Sequence, residues 1–469
     1  MISSRRGFLA GAAVTAAFGG YALKANGQGA AETYVNEVHG YGPLVPDPKK
    51  IFDLPEGFSY QVISQAGETM SDGFLVPYKA DGMACFPYRG SQVALVRNHE
   101  LRHTDLDHGP FGVGSRLAAK FDRNKAYALN KDGLPLPGGT TTMIYDLKSR
   151  RMVSQHLSLV GTTVNCAGGP TPWGSWLSCE ESVLTPESGS SQTHGWVFEV
   201  PSAARGVVTP HPLKEMGRFQ HEAAAIDPRT GIVYLTEDSF DQRGLFYRFL
   251  PNDRRNLAKG GRLQALGLRE APEGGDVRNF KGDPIFWTPG QVKETVWIDL
   301  EGTDSPKADL RLRGQAAGAA FVGRGEGIFH SDAGVYFTCT SSGPQGHGQI
   351  LRYVPSPKEG QPGEADEPGR LELFVEPSDG RVMDFADNIV VAPWGHILVC
   401  EDRYSDTLRN HLKGVTPDGK VYTVGRNVYR DNAELAGACF SPDGRTLFVN
   451  IYWPGLTLAI TGPWESFRA

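Results

Sequence analysis

The stretch NCAGGPTPWGSWLSCEE, Asn165 to Glu181, puts a thiol, Cys166, ahead of a turn rich in glycine and proline. A carboxylate, Glu181, stands at its far end, after the short apolar run SWLSC. That run has the length and composition of one β-strand, so the segment reads as a hairpin with a metal-binding type of side chain at each end. Whether the pattern recurs decides the architecture, because a repeated supersecondary unit dictates how the chain closes on itself.

It does recur. Six residues ahead of a proline stand Asp81 (DGMACFP), Cys166 (CAGGPTP), Glu222 (EAAAIDP), Asp387 (DNIVVAP) and Ala436 (AGACFSP). A further copy, EGIFHSDAG, begins at Glu326 with Asp332 in place of the proline. An apolar run follows each turn: QVALV, SWLSC, IVYLT, VYFTC, HILVC and TLFVN. Most of these runs end in polar groups, among them Asn98-His99-Glu100, Glu180-Glu181, Glu237-Asp238 and Glu401-Asp402. Six antiparallel units without helical periodicity predict an all-β fold, a six-bladed β-propeller, with a β-sandwich as the rival. TTTMIYDL, HGWVFEV, GLFYRFL and GQILRYV supply further strands. Insertions at 103–139 and about 252–320 are expected to cover the axial site, and 355–370 to be a solvated loop.

In a propeller the equivalent inner-strand ends converge on the axis. Asp81, Cys166, Glu222, Glu326 and Asp387 then meet there, each followed by a small residue or Asn, and Ala436 leaves the sixth position empty. Four carboxylates and a thiol facing one another repel unless cations sit between them, so the pattern predicts a metal cluster. Oxygen ligands suit calcium, magnesium, manganese or ferric iron, whereas a thiolate favours iron or zinc. His221 and His99 neighbour Glu222 and Glu100, and strand alternation turns them into the sheet instead. Arg324, two residues before Glu326, shares its face on an extended strand, which places a guanidinium by the cluster for an anion such as phosphate or for a salt bridge.

The chain of 469 residues carries a formal charge of −6, which gives no basic footprint for nucleic acid. There is no GxSxG elbow, P-loop or dinucleotide fingerprint, so the chemistry left is metal-assisted. The start, SSRRGFLAGAAVTAAFGGYA, with Arg5-Arg6, reads as a twin-arginine export signal over residues 1–31. Residues 32–469 then form one domain, delivered by the twin-arginine machinery to the periplasm or outside the cell, with no membrane span. Five of the six cysteines sit in or beside strand runs and read as buried thiols; Cys166 does not.

The Asn165–Glu181 stretch, GRFQHEAAAIDPRTGIVYLTED (217–238), RGEGIFHSDAGVYFTCT (324–340) and LVRNHE (95–100) resemble the PhoX-type alkaline phosphatases from about Phe52 to about Trp453. The resemblance implies a six-bladed propeller with iron and calcium that hydrolyses phosphate esters. It implies that Cys166 binds iron, that Glu181, Glu222 and Glu326 bind metal, and that Arg324 serves the substrate. Asp81, Asn98, Glu100 and Asp387 join the candidate ligands from the repeat, with Asn388 and Asp402 open. Two other readings stand beside it: a propeller lactonase or esterase with one divalent ion, and a calcium-stiffened binding platform.

Overall fold

The computed structural model describes residues 34–405 and 408–469, so the export-signal reading of residues 1–31 lies outside the described residues. The fold is all-β and propeller-like, with one α-helix, Leu310–Ala316, among the described residues. No helix of these residues is long and apolar enough to cross a membrane.

Among the described residues the strands form five antiparallel sheets. One is a four-stranded meander, Ala80–Pro87 to Arg151–Thr162, and the next has three strands, Asn165–Pro170 to Val197–Pro201. A nine-stranded sheet follows, made of two meanders that begin at His221–Ile226 and Gly325–Ser331. They are joined where Val292–Asp299 pairs with Arg370–Val375. The Ala386–Val391 meander gains Phe52–Pro55 at its outer edge, through Phe52 opposite Asn427. The last sheet, from Leu435–Phe440 to Leu456–Thr461, is completed by Ser59–Gln65 from the other end of the chain. That pairing ties the two ends of the domain together. The all-β, propeller-like expectation holds, and the outer edge at Val292–Asp299 joins two of the meanders into one nine-stranded sheet instead of leaving each hairpin a sheet of its own.

The six predicted hairpins are all present, and they share a detail that fixes the site. Ala80 pairs with His99, Asn165 with Glu180, His221 with Glu237, Gly325 with Cys339, and Ala386 with Glu401. In each, the next pair lies three residues on in the first strand and two back in the second, for example Met83 with Arg97. One extra residue is therefore inserted at the same place, a β-bulge that re-aims a side chain. Asp81, Cys166, Glu222, Glu326 and Asp387 stand in these bulges. In the sixth hairpin the bulge comes one residue later, between Ala436 opposite Asn450 and Cys439 opposite Phe448.

Neighbouring hairpins approach closely there, which explains the small residue after each acid. A Cβ on Gly82 would lie 2.5 Å from Ala167 Cα, and one on Gly327 2.6 Å from the Asp387 carbonyl oxygen. Polar side chains one step before the second-strand ends bind the next bulge. Asn98 Nδ2 donates to the carbonyls of Ala167 (2.7 Å) and Cys166 (3.2 Å). Thr236 Oγ1 donates to Glu326 O (2.5 Å), Thr338 Oγ1 to Asp387 O (2.8 Å), and Asn450 Nδ2 to Asp81 O (2.6 Å).

Two expectations are corrected. Asn98 offers no atom to a metal: its Oδ1 accepts from Trp176 Nε1 and Ser178 Oγ, both at 2.9 Å, so its amide is fully used as a brace. The 355–370 segment is not merely solvated. Glu359 is buried there because the buried Arg248 guanidinium needs carboxylates, and Nη1 donates to Glu359 at 2.6 Å while Nη2 donates to Glu364 at 2.8 Å.

Asn98→Ala would strand the Trp176 indole and two carbonyls at once, at a cost of about 3 kcal/mol or more. The denaturant midpoint of the purified variant should fall accordingly, and an unchanged midpoint would remove the bracing role.

Candidate functional site

The bulges deliver their side chains to one end of the ring, and second-strand ends meet them there. Four overlapping groups result, each with ligand atoms within 4.8 Å of one another. Cys166, Glu181 and Glu100 form the first; Glu100 continues into the second with Asp81 and Glu434. Glu434 continues with Asp402 and Asp387, and Asp387 with Glu222 and Glu326. Shared members make them one continuous chain of acidic groups. Of the predicted set, Asp81, Glu100, Cys166, Glu181, Glu222, Glu326 and Asp387 are brought together, and Asn98 stands beside them with its amide spent on bracing the Cys166 bulge.

The chain adds two groups to that set, Asp402 and Glu434. Asp402 closes the polar end of the HILVC run. Glu434 was missed, because it stands two residues ahead of the repeat position that Ala436 occupies. The sixth place is thus filled from just before the strand. Its signal was the i, i+2 relation to Ala436 in ELA, which keeps a side chain on the same face of an extended segment.

The electrostatics are severe. Glu222 is fully buried and neither of its carboxylate oxygens has a hydrogen-bond partner; Glu181 Oε1 is in the same condition. Burial raises the Glu222 carboxyl well above its ordinary range, and Glu326, Asp387, Glu181 and Asp81 raise it further. Glu181 is raised by burial and by Asp238, Glu100 and Glu326. The Cys166 thiol, 3.8 Å from Asp81 Oδ2, is pushed up by burial, then by Asp81, Glu222, Glu100 and Glu181. A buried, unpaired carboxylate is among the costliest groups a fold can hold. These residues fit cations: the donors converge, nearly all are carboxyls, and among the described residues Glu222 and Glu181 Oε1 have no hydrogen-bond partner.

The cation that the chain itself supplies is Arg324. Its Nε donates to Asp238 Oδ1 (2.9 Å) and its Nη2 to Asp238 Oδ2 (2.8 Å), and Nη2 lies 2.9 Å from Glu326 Oε1. Burial disfavours its charge, but Glu326 and Asp238 outweigh that and hold the guanidinium firmly protonated. The expected extended geometry is corrected: Arg324 has φ of 34°, in the left-handed region, and precedes Gly325–Ser331. A bent backbone carries the side chain to Asp238, and 15% of the side chain remains exposed. Tyr452 hydrogen-bonds Glu100 from the sixth hairpin.

His221 and His99 stay out of the cluster, as strand alternation requires. His221 Nε2 donates to Gly217 O (2.8 Å) and the ring stacks on Phe219, and His99 is bound by Tyr78 O and Thr141. All six cysteines are free, and Cys179, Cys339, Cys400 and Cys439 are buried in apolar clusters as expected.

The comparisons with known proteins give the family to which this propeller-like fold and its acidic centre belong. The family model described as alkaline phosphatase PhoX matches residues 39–145 and 136–455. The chain belongs to the alkaline phosphatase PhoX family and is a metal-dependent phosphatase. Among solved structures, Pseudomonas fluorescens PhoX in complex with vanadate, a transition state analogue, aligns with a TM-score of 0.66 at 18% identity. The alignment covers 88% of this chain and 96% of that one, and shows a shared fold. A gluconolactonase from Xanthomonas campestris aligns at a TM-score of 0.41 and 13% identity over 90% of this chain and 98% of its own, too distant to carry an argument. No curated protein matches the chain.

A pH dependence follows for protein stripped of cations. Burial and Asp402 push the Asp387 carboxyl up from an ordinary 3.8 to about 8. The native state then holds a proton that the unfolded chain has released, so stability is full below the unfolded value and is lost as pH rises through the folded one. Chelator-treated protein should melt at a clearly lower temperature at pH 9 than at pH 5, and restored cations should shrink that difference. An equal difference in both preparations would contradict the electrostatic origin.

Proposed function

We propose that this phosphatase is exported, acts on phosphate monoesters, and holds iron and calcium in the chain of acidic groups. The observation that carries the metal reading is Glu222, fully buried with both oxygens unpartnered opposite Glu326 and Asp387. Cys166, Glu181 and Glu100 suit iron, because the group contains the single soft donor. The three all-oxygen groups, built from Asp81, Glu100, Glu434, Asp402, Asp387, Glu222 and Glu326, suit calcium. When bound, such cations supply charge neutralisation and Lewis-acid polarisation of the phosphoryl group.

The chain's own residues do the rest. Arg324 offers a fixed positive charge at the edge of the cluster, where a phosphoryl oxygen can meet it. Asp238 holds that guanidinium by two parallel hydrogen bonds, so its direction is set before substrate arrives. The N–H of Thr340 donates to Arg324 O (3.1 Å) and pins the bent backbone from the neighbouring strand. Tyr452 and Asn98 hold Glu100 and the Cys166 carbonyl in place. The lactonase reading needs one cation and no thiol, and nothing at the site favours it.

The architecture is read as six blades. Five hairpins bring the same bulge to the centre and a sixth brings it one residue later, and the nine-stranded sheet counts as two blades fused at Val292–Asp299. The twin arginine at Arg5-Arg6 supports export by the twin-arginine machinery to the periplasm or beyond.

The test is turnover of a chromogenic phosphate monoester by the metal-loaded protein. Cys166→Ala and Arg324→Ala should each lose about 100-fold or more in kcat/KM while remaining folded. Full turnover by Cys166→Ala would overturn the thiolate's place in the centre.

A further inference from the structure

Large apolar side chains left in water call for an explanation when they gather at one place. Among the described residues only two aromatic side chains are exposed, Phe240 at 57% and Tyr404 at 67%. Phe240 lies under Arg324, and Tyr404 joins the same cluster through Asp402. The guanidinium lies over the Phe240 ring, 5.5 Å from its centroid. The Tyr404 hydroxyl hydrogen-bonds Asp402, and the phenol lies within electrostatic reach of Arg324. Its ring packs edge-on against Phe385, with centroids 5.7 Å apart, which steadies it with much of the side chain in solvent.

The two rings come from separate hairpins. Phe240 follows the strand Val233–Glu237, and Tyr404 follows Ile397–Glu401. The hairpin that carries Arg324 and Glu326 lies between them in the chain. Neither ring belongs to any apolar core cluster, so packing does not account for them. A phosphoryl group held by Arg324 has buried acids on its inner side. Its ester substituent must leave by the open side, where these rings stand.

We propose that Phe240 and Tyr404 form an aromatic rim that binds the leaving group and favours phosphate esters with a planar aromatic substituent over aliphatic esters of similar size. This selectivity rests on the phosphatase reading and names the substrate class for that same site. Ring–ring contact supplies the preference, and the cation over Phe240 fixes the orientation of one ring. The hydroxyl of Tyr404 anchors it and is not needed for the contact.

The experiment compares kcat/KM for 2-phenylethyl phosphate and 2-cyclohexylethyl phosphate, whose substituents match in size and whose leaving alcohols have similar acidity, on the metal-loaded protein. Phe240→Ala and Tyr404→Ala should each lower the ratio of the two values roughly threefold to tenfold, mainly through KM. Tyr404→Phe should hold the ratio within about twofold. If both esters are hydrolysed and the ratio does not move in either alanine variant, the rim is overturned and the phosphatase reading stands. If the folded, loaded wild-type protein hydrolyses neither ester, the phosphatase reading falls and the rim with it.

Discussion

Eight carboxyl groups and a thiol face one another across a few ångströms, and the rest of the structure must hold them there against their repulsion. No single strand can do this. The fold repeats one device instead: a bulge that aims an acidic side chain inward, and a polar side chain from the adjacent hairpin that binds the bulge's carbonyl. Asn98, Thr236, Thr338 and Asn450 make that link at equivalent positions. The pairing of Ser59–Gln65 with Leu456–Thr461 closes the arrangement, so that no hairpin can yield outward alone.

The repulsion also explains why function and stability share the same residues. Without cations the acids must hold protons, as the raised Glu222 and Glu181 carboxyls require. With cations they ionise, and the cost of burial is offset by direct attraction. Arg324 works in the opposite sense. Paired with Asp238 and Glu326, it stays charged beside a centre that cations make positive, which leaves a place for an anion to join both.

Much of this was legible in the sequence. The offset of six residues from a turn proline picked out Asp81, Cys166, Glu222 and Asp387, and a degenerate copy picked out Glu326, because a bulge repeated at fixed register leaves a fixed spacing. Glu434 escaped because the sixth hairpin has its bulge one residue later and takes its acid from before the strand. Asn98 was misread for the opposite reason: it lies in the same NHE run as Glu100, and only the structure shows its amide spent on Trp176, Ser178 and two carbonyls. Asp238 was visible as a polar strand end, but its pairing with Arg324 depends on a left-handed backbone that no pattern announces. The burial of Glu359 was hidden by a loop-like composition, since its partner Arg248 lies more than a hundred residues away.

The central claim is that cations, and not protons alone, hold the acidic groups together in the working protein. Elemental analysis of protein purified without chelator tests it most directly. Iron and calcium together, in near whole-number ratios to protein, are the predicted result. A folded, active preparation that contains no metal ion would contradict it.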